Sequence, residues 1–160
     1  MKSSCWRPCR NGRSGGSLVD KDLARTKLTH IASNLALLDS KSALPLENFL
    51  TNVDQQYVVL HALQLAIQAA MDLAAHFVAD EGWEVPARSG QVFSVLAERS
   101  VISAEIASRL RTMAAFRNLI VHEYGEVNLK TVYEIWHRSL DDLREFAAAV
   151  MKDIESDESV

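Results

Sequence analysis

Residues 63–78 read "LQLAIQAAMDLAAHFV", and the fold turns on them. Val59, Leu63, Ile67, Ala70, Ala74, Phe77 and Val78 recur at helical spacing and line one side, while Leu60, Leu65, Met71 and Leu73 widen the stripe. A helix apolar over so much of its circumference has to be buried on more than one face. The spacing therefore predicts a long central helical segment over about 46–79, with a joint near Thr51 and Asn52, where Asn52 can cap the second part. Gln68, Asp72 and His76 interrupt the run, which falls short of the roughly 20 apolar residues that a membrane span needs. The expectation is a soluble protein with no membrane segment.

On the N-terminal side, residues 20–38 place Leu23, Leu28, Ile31, Leu35 and Leu38 at the spacing of an amphipathic helix, which "DSKSALP" breaks through the bias Pro45 puts on Leu44. After the central segment, Gly82 in "DEGWEVPARSG" suits a left-handed C-terminal cap. A short helix over 89–99 carries Val92, Val95 and Leu96. Ser103 then caps a helix whose stripe runs through Ile106, Leu110, Met113, Phe116 and Leu119 or Ile120. One last helix is expected over 129–154, burying Val132, Ile135, Trp136, Leu140, Leu143, Phe146, Ala147 and Val150. No strand-like alternation and no repeat interrupts this pattern. The fold class is all-α, a bundle of four long helices plus one short helix.

A chain of 160 residues, 48% of them hydrophobic, has the size of one domain. That domain is read over 19–154, with an acidic, fraying tail over 155–160. Residues 1–18 are read as a disordered extension or a misplaced start: "SGG" at 14–16 can be encoded by a ribosome-binding sequence, and Val19 by a GTG start. This head has no apolar core of a secretory signal, so the cytoplasm is the default location. Both cysteines, Cys5 and Cys9, lie in it, giving neither a disulfide framework nor the four ligands of a closed zinc site, and no metal is expected. The head also holds Lys2, Arg7, Arg10 and Arg13, four of the 17 basic residues, and no acid; the remaining 13 face 21 acidic residues. A body this acidic argues against broad, charge-driven nucleic-acid binding, so any such contact must be local.

The candidate for that local contact is "RNLIVHEYGEVN", residues 117–128. Arginine offers a fixed fork of donors suited to phosphate, and histidine is the side chain suited to proton transfer near neutral pH. Asn118 can position a ribose hydroxyl or the arginine itself, and Tyr124 brings a hydroxyl that donates or accepts. On an ideal helix Arg117 and His122 lie about 140° apart. They converge only if the helix breaks between them, around Val121, with Gly125 supplying an end nearby. Basic residues also favour helix C-termini for dipole reasons alone, so the pattern by itself admits both a helix end and a catalytic site. His30, His61, His76 and His137 show no metal-ligand spacing.

"FRNLIVHEY", residues 116–124, resembles the R-x4-H-x-Y signature of the HepT-like HEPN proteins, small helical ribonuclease toxins of prokaryotic toxin–antitoxin pairs. The similarity extends over residues 19–150, through "VDKDLARTKLTHIASNL", the central helix, "VFSVLAERSVIS" and "VYEIWHRSLDDLREFAAAV". It implies an HEPN-type bundle and a metal-independent endoribonuclease without cofactor, the toxin of a type VII system. Arg117 and His122 would be catalytic and Asn118 the polar residue that follows the arginine. Tyr124 would be the tyrosine on which a nucleotidyltransferase (MNT-type) antitoxin places AMP. Asp72 matches the supporting acid of the central helix, beside the reading of a salt-bridging carboxylate; Gln68, where relatives often carry an acid, departs from the pattern. The implied partners are an RNA substrate, the antitoxin and a second copy in a homodimer whose two motifs face one cleft. The alternative is a non-catalytic HEPN module that binds nucleotides or a nucleotidyltransferase.

Overall fold

Two local signals, Pro45 and Asn52, divide the first half of the chain into three helices. In the computed structural model, which describes residues 18–158, these are α1 (Leu18–Ser40), α2 (Leu46–Thr51) and α3 (Val53–Asp80). The expectations for the head, including Cys5 and Cys9, lie outside the described residues. Asn52 is extended, with φ −109° and ψ 97°, and its side chain accepts from the Gln55 backbone N–H at 3.1 Å, which starts α3 afresh after α2. The expected joint is therefore real. On α1 the stripe of Leu28, Ile31, Leu35 and Leu38 is buried and Ala24 extends it, whereas Leu23 points out to solvent.

At its other end α3 stops as the sequence predicts. Gly82 has φ +74°, the Gly82 N–H donates to Ala79 O and the Trp83 N–H to Val78 O, and the Trp83 ring meets Phe77. This is a complete left-handed cap with its apolar contact. A short 3-10 turn, Ser89–Gln91, leads into α4 (Val92–Glu98). The same cap closes α4, since Ser100 takes φ +60° and the Val101 N–H donates to Leu96 O at 2.9 Å. Gly90 lies so close to the next helix that an added Cβ would meet the Ala114 Cβ at 3.3 Å.

The remaining helices are α5 (Ala104–His122), α6 (Leu129–Arg138) and α7 (Leu140–Glu158). The four long helices α1, α3, α5 and α7 make the bundle, and α3 packs against each of the other six. Its length and apolarity would suffice for a membrane span, but 61% of that apolar window is buried inside the fold, as befits a central helix. The described residues form helices and connecting turns and contain no strand.

One expectation needs correction. The single helix expected over 129–154 is interrupted at Ser139, whose φ of −112° and ψ of −1° stay in the broad right-handed region but depart from regular helix values. No glycine or proline marks the break, because its cause is tertiary. Helix α6 turns to dock on the α1–α2 corner: Trp136 Nε1 donates to Leu38 O at 3.0 Å, the Tyr133 hydroxyl donates to Leu44 O at 2.9 Å, and both rings pack on the buried Phe49. Helix α7 lies instead along α1, α3 and α5, and its buried Asp142 accepts from Arg109 Nη1 at 3.1 Å. Two docking directions require two helices. With α2 and α6, the short helices number three rather than one.

Candidate functional site

Helix α5 positions the site by its own periodicity. Ser103 Oγ accepts from the Ile106 N–H at 3.2 Å and starts the helix, and Ile106, Leu110, Met113, Phe116 and Ile120 hold one face in the core. Arg117 stands four residues after Met113 and three before Ile120, at the edge of that buried face, and is half-buried for that reason. Its Nη1 donates to Asn118 Oδ1 at 3.1 Å. Its Nε is buried and has no hydrogen-bond partner among the described residues.

The break near Val121 on which convergence of Arg117 and His122 depends does not occur. Helix α5 continues through His122, and the Glu123 N–H still donates to Leu119 O at 2.9 Å. Glu123, with φ −134°, ends the helix; Gly125 has no left-handed conformation and sits inside the 3-10 turn Tyr124–Glu126. Arg117 and His122 of one chain consequently remain about 140° apart around one axis. His122 is exposed and flanked by the exposed apolar side chains of Leu119 and Val121.

Tyr124 projects from the turn onto the first turns of α3. Its ring stacks on Tyr57 with centroids 5.5 Å apart and planes inclined by 17°. Partial burial, then the charge of the Tyr57 phenol and a hydrogen bond with it, hold the Tyr124 hydroxyl above the usual phenol range. Both rings remain open to solvent, Tyr124 44% and Tyr57 56% exposed. Sequence reasoning missed Tyr57. The signal was there in weak form: it is an aromatic residue off the apolar stripe of α3.

Asp72 is placed elsewhere. It follows Tyr57 by 15 positions on α3, about 22 Å along a straight helix. Its carboxylate accepts from Lys27 Nζ at 3.0 Å and from Gln68 Nε2 at 2.7 Å, tying α3 to α1. The structure thus brings Tyr57 to Tyr124 and Asn118 to Arg117, and leaves Asp72 in an ion pair between helices.

Comparison with known proteins gives a family and a fold. Residues 31–150 match the family described as Ribonuclease HepT-like. The mRNA nuclease HepT of Shewanella oneidensis is 32% identical over 92 residues, 58% of this chain and 68% of that protein. The tRNA nuclease HepT of Aphanizomenon flos-aquae is 24% identical over 115 residues, 72% of this chain and 78% of that protein. Among solved structures, the tri-AMPylated Shewanella oneidensis HEPN toxin in complex with MNT antitoxin superposes with a TM-score of 0.76 at 24% identity, covering 82% of this chain and 98% of that one. YutE from Bacillus subtilis, a cytosolic protein of unknown function, superposes with a TM-score of 0.77 at 16% identity, covering 86% and 92%. At these identities the two structures speak to the fold, an HEPN-type bundle.

Proposed function

The chain belongs to the HepT-like ribonuclease family, and from that premise we propose that it is the toxin of a type VII toxin–antitoxin pair, a metal-independent endoribonuclease working through His122 and Arg117. The observation that carries this reading is an arginine on α5 whose Nε is buried and unpartnered among the described residues, five positions before an exposed histidine at the end of the same helix. A buried donor without an acceptor costs about 1–3 kcal/mol, and a phosphate oxygen offers the acceptor that relieves it.

His122 takes the proton of a ribose 2′-hydroxyl, the 2′-oxygen attacks the adjacent phosphorus, and the bond to the 5′-oxygen of the next nucleotide breaks. Arg117 stabilises the charge gathering on the phosphate, and Asn118 holds the guanidinium in place. Base and charge stabiliser are both side chains, so the step calls for no metal. Because Arg117 and His122 of one chain diverge around α5, the cleft is best completed by a second copy, whose His122 returns a proton to the departing 5′-oxygen. The exposed Leu119 and Val121 beside His122 support such a homodimer seam. Two motifs per cleft also concentrate basic groups locally on an otherwise acidic body.

Silencing is proposed to occur at Tyr124. The solved Shewanella toxin is described as tri-AMPylated and in complex with MNT antitoxin, and Tyr124 is exposed in the turn beside His122. Its hydroxyl oxygen attacks the α-phosphorus of ATP, diphosphate leaves, and a base of the nucleotidyltransferase removes the phenol proton. The added phosphodiester pairs with Arg117 and the nucleotide fills the cleft. An RNA substrate and this partner place the work in the cytoplasm.

The test is cleavage of RNA by purified protein in excess EDTA. Wild type cuts, and both His122→Ala and Arg117→Ala lose activity, the histidine variant by about 10² to 10⁴-fold as expected for a general base. A wild type that binds but does not cut would replace the reading with the non-catalytic module.

A further inference from the structure

Among the large apolar and aromatic side chains exposed in the described residues, the only aromatic rings are Tyr57 and Tyr124, and these two stack on each other. They do so two residues beyond His122, a span of at most about 7 Å between Cα atoms. That is the scale of one nucleotide step. Tyr124 covers one face of the Tyr57 ring, and 56% of the Tyr57 residue is still exposed to solvent.

We propose that Tyr57 is a substrate-binding residue, a platform on which a nucleobase flanking the scissile phosphate of single-stranded RNA stacks, with Tyr124 as its backing. The proposal rests on the ribonuclease reading and adds to it the group that holds the base. The local charge selects the occupant. Asp54 stands one helical turn before Tyr57 and is exposed, and Glu123 and Glu126 flank Tyr124 and are exposed as well. A phosphate is repelled by this acidic surround, whereas a neutral base with an open π-face is not. Arg117 therefore takes the phosphate and Tyr57 the base.

Stacking on an already stacked ring has two consequences. The platform is preorganised, because Tyr57 is held by the ring behind it and loses less side-chain freedom when the base arrives. It is also tolerant of base identity, since every base has a π-face. Discrimination between RNA and DNA remains with the 2′-hydroxyl at His122.

The experiment is steady-state cleavage of a short unstructured RNA by wild type, Tyr57→Phe and Tyr57→Ala, with melting temperatures measured alongside. Tyr57→Phe behaves like wild type. Tyr57→Ala raises KM about 5- to 100-fold, the range that loss of one base–aromatic stack implies, with kcat within about threefold, as for binding equal in ground and transition states. A second measurement separates stacking from a structural role: the binding of a non-cleavable 2′-O-methyl oligonucleotide in which one position at a time is abasic. An abasic nucleotide beside the cut weakens wild-type binding and leaves Tyr57→Ala binding unchanged. An unchanged KM in Tyr57→Ala, a loss confined to kcat, or an equal abasic effect in both proteins overturns the platform while the ribonuclease reading stands. A wild type that neither cuts nor binds RNA overturns both.

Discussion

Trp136→Phe should lower stability by about 2 kcal/mol, and the figure comes from two separable losses. Trp136 is 1% exposed and packs on Phe49 and Tyr133. Replacing indole by phenyl leaves roughly 40 Å³ of residual space, worth about 1 kcal/mol at ~24 cal/mol per Å³. The bond from Nε1 to Leu38 O, 3.0 Å long, is lost as well. Leu38 O keeps the Lys41 N–H at 3.2 Å, so it is not orphaned and the loss stays near 1 kcal/mol. For a chain of this size the sum lowers the melting temperature by about 4–8 °C. Urea denaturation followed by far-ultraviolet circular dichroism measures it, with the slope unchanged and the midpoint shifted. Because α6 begins just after the turn that carries Tyr124, and the side chains proposed as catalytic are untouched, activity well below the melting transition should fall by less than about tenfold. A destabilisation below about 0.5 kcal/mol would refute the claim that this indole pins α6 to the α1–α2 corner, since it would match an ordinary surface substitution.

At the site, Tyr124→Phe keeps the ring on Tyr57 but lacks the acceptor hydroxyl, so it should fold, cut RNA and resist AMP transfer by the nucleotidyltransferase partner; modification of the Phe variant, read by mass spectrometry, would move the acceptor elsewhere. Burial raises the Tyr124 pKa most, and the charge and hydrogen bond of Tyr57 add to it, so Tyr57→Ala, which removes these two and opens the ring to water, should lower it towards its ordinary value of about 10. By the same sign, the stability that the raised pKa confers is complete below the unfolded value and is lost as pH rises through the folded one. Ultraviolet titration of the two proteins compares the phenols, and an unchanged or higher Tyr124 value would contradict the contact. Asp72→Asn should cost less than about 1 kcal/mol, as expected for a partly exposed pair with Lys27. It should also leave cleavage within about threefold; a loss above tenfold would return Asp72 to the catalytic machinery.

Much of the fold was legible because its signals are local. The width of the apolar stripe on α3, the cap at Asn52, the glycine at Gly82 and the cap at Ser103 each act within a few residues of where they stand. The break at Ser139 was not legible, because its cause is the docking of Trp136 and Tyr133 on carbonyls nearly a hundred residues away. The left-handed Ser100 was hidden too, since serine does not announce that conformation. Arg117, Asn118, His122 and Tyr124 stand in one contiguous stretch, so residue chemistry alone singles them out as candidates. It does not single out Tyr57, because its meaning comes from a ring 67 positions away in sequence. Gly125 marked the end of α5 only to within a few residues, and the sequence left open whether the helix stops before or after His122, because Glu123, which ends it, is not itself a breaker.

The proposed mechanism stands on the identity of the nucleophile, which it takes to be a 2′-oxygen of the substrate itself, activated by His122. A single 2′-deoxy substitution at the nucleotide 5′ to the mapped cut, in an otherwise unchanged RNA assayed in EDTA with wild-type protein, removes that nucleophile and nothing else. Cleavage at that bond should be abolished, while the unsubstituted RNA yields a 2′,3′-cyclic phosphate end and the substituted strand still binds. Continued cleavage at the substituted position, leaving a 3′-hydroxyl or a linear phosphate, would mean that water or a metal-bound hydroxide is the nucleophile, and the roles given to His122 and Arg117 would fall with it.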